Sequence, residues 1–114
     1  MDDCIFCRIA AGTIPSKKVY EDDNVLAFHD IAPAAPVHIL VIPKKHITSA
    51  IDLSPEDEAL LMQVFQAIKK VAQIAGIAQD GFRIVSNVGK NGGQSVRHLH
   101  FHVLGGKAYG ANFG

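Results

Sequence analysis

Between positions 60 and 72 apolar residues return every three or four places: Leu60, Leu61, Val64, Phe65, Ile68, Val71 and Ala72. That period draws one apolar stripe on an α-helix. The flanks agree. Ser54 offers an N-cap hydroxyl, Pro55 suits the first helical position, and Glu56, Asp57 and Glu58 favour the positive end of the helix dipole. Gly76 is a natural stop. Residues 4–11 (CIFCRIAA) form one or two further helical turns, ended by Gly12 and Pro15. The remaining apolar runs are short and strand-like. Val19-Tyr20 and residues 25–28 flank the acidic turn 21–24 as a hairpin, and residues 38–42 (HILVI) read as a buried strand closed by Pro43. Pro33 and Pro36 make 32–36 a loop, residues 82–87 are another strand, and a fifth runs from about 95 to 104. One long helix and a short N-terminal one on a largely antiparallel five-stranded sheet is an α+β domain, single over residues 1–114.

Composition narrows the function classes. Hydrophobic residues make up 48% of the 114 and charged residues 19%, which is the balance of an ordered globular chain. Eleven basic residues offset eleven acidic ones, so no electrostatic footprint for nucleic acid or a membrane surface is expected. No apolar segment approaches the roughly 20 residues that span a bilayer. The start, Met1-Asp2-Asp3, lacks the basic and apolar regions of a secretory signal. Two cysteines three places apart cannot staple a fold, and a reducing, cytoplasmic setting is expected.

The fifth strand carries the chemistry. His98, His100 and His102 alternate with Leu99, Phe101 and Val103. Side chains alternate sides along a strand, so the histidines are expected on one face and the apolar residues in the core beneath the helix. Such a row suits either a metal ion or phosphoryl chemistry. Upstream lie Gly92-Gly93-Gln94-Ser95, with Asn87 before them. Glycines let main-chain N–H groups approach an anion, and the Ser and Asn side chains can complete a cradle. A cradle opening onto imidazoles points to phosphoryl or nucleotidyl transfer, in which one imidazole attacks phosphorus and another handles a proton. Separately, Cys4-x-x-Cys7 has the spacing of half a zinc site, with His46 and His98 available as the other ligands. Two thiols packed as small apolar groups are the alternative.

The run from Gly93 to Gly106 resembles the signature of the histidine triad (HIT) superfamily, His-φ-His-φ-His-φ-φ. The preceding Gly-Gly-Gln-Ser and the trailing Gly105-Gly106 are similar to its Hint branch, not the Fhit branch. Residues 27–31 (AFHDI) and 36–47 (PVHILVIPKKHI) are Hint-like too, so the resemblance covers about 5–106. It implies the HIT fold and a purine nucleoside phosphoramidase acting on AMP or GMP conjugates. His100 would attack the α-phosphorus, and His102 would contact the phosphate. His38 and His98 would complete the polar network, with Ser95, Asn87 and Gly93 holding phosphate oxygens or the leaving group. Asp30 would take the ribose hydroxyls, while Ile5, Phe6, Ile9, Phe28, His29, Ile31 and Leu40 would enclose the base. Some members carry a structural zinc on a set matching Cys4, Cys7, His46 and His98, whereas catalysis in the family needs no cofactor. The resemblance also implies a homodimer.

Three other functions fit the same residues: a dinucleoside polyphosphate hydrolase of the same superfamily, a hydrolase with a catalytic zinc on all three triad histidines, and a nucleotide-binding scaffold with incidental catalysis. One departure is clear. The tail after Gly106, KAYGANFG, lacks the tryptophan that some Hint relatives place near the C-terminus, where the tail bears on leaving-group preference.

Overall fold

A computed structural model describes residues 3–113. Helix α1 covers Ile5–Ala10, strands β1 and β2 cover Lys18–Glu21 and Val25–His29, and β3 covers Val37–Pro43. Helix α2 follows at Glu58–Ile74, then β4 at Arg83–Val85 and β5 at Phe101–Gly105. The five strands form one sheet in the order β1-β2-β3-β5-β4, every neighbouring pair antiparallel. Among the described residues, no helix is long and apolar enough to cross a membrane.

The α2 boundaries follow the sequence with one refinement. Its first turn, Pro55–Asp57, is a tighter 3₁₀ turn. Asp57 folds back to accept hydrogen bonds from the main-chain N–H and hydroxyl of Ser54, at 3.1 and 3.2 Å, and pairs with Lys45 at 2.7 Å. These bonds satisfy a buried carboxylate and anchor the helix start. The buried stripe is Val64, Ala67, Ile68, Val71 and Ala72, with Leu60 and Leu61 partly covered. Phe65 departs from the expected stripe: it remains 40% exposed and meets Phe101 edge-on.

The central strands are covered on both faces, which is why they read as near-continuous apolar runs. Val25, Ala27, Ile39, Val41, Phe101 and Val103 pack beneath α2. Leu26, Phe28, Leu40 and Ile42 face the other way, against Phe6 and Ile9 of α1. The short helix thus roofs the face opposite the long one.

The histidine strand is shorter than its alternation predicts. Residues 95–100 make no ladder, and β5 begins only at Phe101. Its partner β3 ends at Pro43, which has no N–H to extend the pairing. Leu99 donates instead to the Ile47 carbonyl. Strand β4 is likewise three residues, not the six of 82–87. The sidedness survives all the same: Leu99 is buried with the α2 core, while His98 and His100 meet Phe6 on the opposite face. At the far end, Gly105 lies so close to Ile77 that a Cβ would stand 2.7 Å from its Cδ1. Gly106 turns the chain with φ +84°, a conformation that disfavours any side chain.

Candidate active site

A groove of about 1020 Å³ opens between α1 and the sheet. One cross-strand row builds its floor, for Phe28 pairs with Leu40 and Leu40 with His102. The floor therefore passes from an aromatic ring to an imidazole within three strands. Ile5, Phe6 and Ile9 of α1 supply an apolar wall, while His29, Asp30, Ser95 and His100 lie along the same opening. Ile31 stands fully exposed at the rim.

Hydrogen bonds assign the ring nitrogens. His38 Nδ1 lies 3.0 Å from the Ala34 main-chain N–H, which can only donate, so Nδ1 accepts and the proton of neutral His38 is on Nε2. That Nε2–H points at His102 Nδ1, 2.9 Å away, and lies 3.4 Å from Asp30 Oδ2. His102 Nδ1 is therefore the acceptor, and His102 carries its own proton on Nε2. His100 has the reverse arrangement. Its Nδ1 lies 2.7 Å from the His98 carbonyl and must donate, leaving a lone pair on Nε2. A bare imidazole nitrogen beside a ring N–H donor suits attack on an electrophile that bears anionic oxygens. Burial, then repulsion from His100 and His38, pulls the His102 pKa down to about 4 against the opposing effect of Asp30. Its ring is neutral at physiological pH.

His98 turns away from the groove. Its Nε2–H donates to the Pro43 carbonyl at 2.8 Å, and Nδ1 faces Cys4 Sγ at 3.4 Å and Cys7 Sγ at 3.5 Å. His46 Nδ1 lies 3.2 Å from Cys7 Sγ, and the four donor atoms all sit within 4.8 Å of one another. Donors on a tetrahedral zinc stand about 3.3–3.8 Å apart. A ligating His whose other ring N–H is held by a carbonyl is the usual support for such an ion. This set can hold a metal. Burial, with Cys4 adding to it, pushes the Cys7 thiol up to about 11, so a metal binding there must displace a proton. Asp30, His38 and His102 are also close enough to share an ion. They suit one poorly, because His38 Nε2 carries the hydrogen that a metal would have to replace, while Nδ1 already accepts from the main chain.

The structure brings most predicted residues to the groove and leaves some aside. His38 is one layer back, touching His102. Asn87 donates to the Gly92 carbonyl at 2.7 Å and so braces the glycine loop instead of lining the groove; Gly93 does not line it either. Gln94 holds the same loop by bonds to Thr48, Val96 and Gly89. Ser16, Lys17, Pro33 and Val96 line the groove without having been singled out in the sequence. Ser16, Lys17 and Pro33 come from irregular segments at or beside prolines, in which no period marks a face. Val96 instead lies in the run from 95 that the alternation reads as strand and that forms no ladder before Phe101.

The chain matches the family model described as HIT domain over residues 11–109. It is 48% identical to Protein HitA of Neisseria gonorrhoeae over 105 residues, 92% of this chain and 97% of that one. It is 45% identical to the purine nucleoside phosphoramidase of Escherichia coli K12 over 109 residues, 96% of this chain and 92% of that enzyme. A solved histidine triad protein from Clostridium difficile superposes with a TM-score of 0.94 at 51% identity, covering 100% of this chain and 98% of the other.

The depressed His102 pKa fixes a pH response. A group neutral in the fold and more basic when unfolded favours unfolding once the unfolded chain takes up its proton. Burial lowers His98 in the same direction. Urea midpoints are expected to hold near neutrality and to fall as pH drops from about 6.5 towards 4. His102→Gln should flatten part of that decline; an equally steep decline in the variant would contradict the assignment.

Proposed function

The chain belongs to the HIT-domain family, and from that premise we propose that it is a Hint-type nucleotide hydrolase. Its substrates are purine nucleoside 5′-phosphoramidates or related nucleotide conjugates, cleaved through a nucleotidyl-histidine. The observation that carries this reading is the pair of opposed tautomers, His100 with a bare Nε2 and His102 with a protonated one. The 45% identity to a purine nucleoside phosphoramidase supports the substrate class.

In the proposed reaction His100 Nε2 attacks the α-phosphorus. The P–N bond breaks, and the nitrogen departs as an amine with a proton drawn from solvent, which is returned to solvent when the attacking water of the second step loses one. Water then attacks phosphorus, the P–His100 bond breaks, and the nucleoside monophosphate leaves with the water oxygen. The N–H of His102 faces the phosphoryl oxygens, and the His98 carbonyl stabilises the positive ring that His100 becomes on forming the bond. His38 is a positioning residue: it accepts from the Ala34 N–H and donates to His102. Asp30 keeps one oxygen on the Ala32 N–H at 2.8 Å, leaving lone pairs for ribose hydroxyls. Ser95, on the groove wall, holds a phosphate oxygen.

Two further parts belong to this reading. Cys4, Cys7, His46 and His98 would hold a structural zinc that pins α1 to the sheet; the ion takes no part in the reaction. Exposed Met62 and Phe65 on α2 and Ile84 on the edge strand β4 support a homodimer through that face.

His100→Ala is expected to fold normally and to lose turnover of adenosine 5′-phosphoramidate by about three orders of magnitude or more. Normal turnover would remove His100 as nucleophile. Metal analysis should find about one zinc per chain, absent in Cys7→Ser, with light scattering giving twice the chain mass. A metal-free wild type with freely alkylated thiols would exclude the zinc, and a monomer would exclude the dimer.

A further inference from the structure

Among the described residues, one buried side-chain polar atom has no hydrogen-bond partner: the hydroxyl oxygen of Ser16. Ser16 lies in the segment joining α1 to β1, and it lines the groove together with Phe6, Ile9 and Phe28. The segment is held in place, since the next residue, Lys17, accepts the His29 N–H through its carbonyl at 3.0 Å. A buried hydroxyl gives up its hydration, and native folds almost always return a partner to it. Here none is supplied by the chain.

The position of this orphan gives it a use. The apolar wall of Ile5, Phe6, Ile9, Phe28 and Leu40 can cover the faces of a flat ring, yet it offers nothing to the ring's polar edge. A purine enclosed there would lose water from its ring nitrogens and its C6 substituent, a cost that needs a compensating bond. On the nucleotide-hydrolase reading the polar groups at the other end serve the sugar and phosphate: His100, His102 and Ser95 the phosphate and Asp30 the ribose, with His38 held by His102. A serine hydroxyl can both donate and accept, so it answers a 6-amino or a 6-oxo group equally. Ser16 already lines the groove, and a serine hydroxyl rotates among staggered positions about its Cα–Cβ bond.

Building on the nucleotide-hydrolase reading, we propose that Ser16 is a specificity residue: its hydroxyl hydrogen-bonds the polar edge of the base. The assignment separates from a structural role by sign. Removing an unpaired hydroxyl costs the empty protein nothing, so Ser16→Ala should melt at the wild-type temperature or above it. The same variant should bind AMP about three- to tenfold more weakly.

The test is calorimetric binding of AMP and three analogues, each lacking one polar site of the base: purine riboside 5′-monophosphate, 1-deaza-AMP and 7-deaza-AMP. Wild type should lose about three- to tenfold on one analogue, and Ser16→Ala should no longer distinguish that analogue from AMP. If wild type binds AMP and the variant keeps the full pattern, the Ser16 assignment alone is overturned. A lowered melting temperature with equal weakening for AMP and ribose 5-phosphate would also overturn it, in favour of a structural role. If wild type binds no AMP at all, the nucleotide reading falls and Ser16 falls with it.

Discussion

The hydrogen bond from His100 Nδ1–H to the carbonyl of His98 joins the parts of this molecule that matter most. It spans two residues of one chain, so it asks little of the rest of the fold beyond keeping residues 98–100 out of a regular ladder. Pro43 helps to do that by ending β3 where the ladder would otherwise continue. The outcome is local: one nitrogen of His100 is committed to the main chain and the other is left free. The same irregularity lets His98 turn its ring towards the cysteines while its carbonyl faces the next histidine.

His98 is consequently shared between two arrangements. Its ring belongs to the Cys4–Cys7–His46 cluster, and its main chain orients His100. Phe6 sits against both, edge-on to His98 at 6.0 Å and to His100 at 5.1 Å between ring centres, and it also meets Phe28 of the groove floor at 5.6 Å. Short helix α1 is thus tied to the sheet by an aromatic contact and by the thiols at its N-terminal end. Six residues of helix are marginal alone, and these contacts hold the groove wall in place.

Much of this was legible because it repeats. The 3.6-residue period set out α2, and the alternation of 98–103 placed histidines on one side and core residues on the other. The parts that were not legible depend on single atoms from distant segments. Nothing local to His38 reveals that the Ala34 N–H fixes its proton, and nothing in the glycine loop reveals that Asn87 braces Gly92 and leaves the groove wall to others. Strand length was overestimated at both β4 and β5, because alternation continues where hydrogen-bonding partners do not. Ser16 carries no periodic signal whatever. The HIT resemblance assigns site residues by their distinctive spacing, including Asn87 and Gly93, which do not line the groove. The cluster around His98 shows why the three histidines are physically unequal.

The central claim is that unequal state, and ring-nitrogen NMR reads it directly. In ¹⁵N-labelled protein near neutral pH, long-range ¹H–¹⁵N correlations should show His100 protonated on Nδ1 with Nε2 bare, and His38 and His102 protonated on Nε2. A His100 protonated on Nε2, or a His102 protonated on Nδ1, would contradict the account.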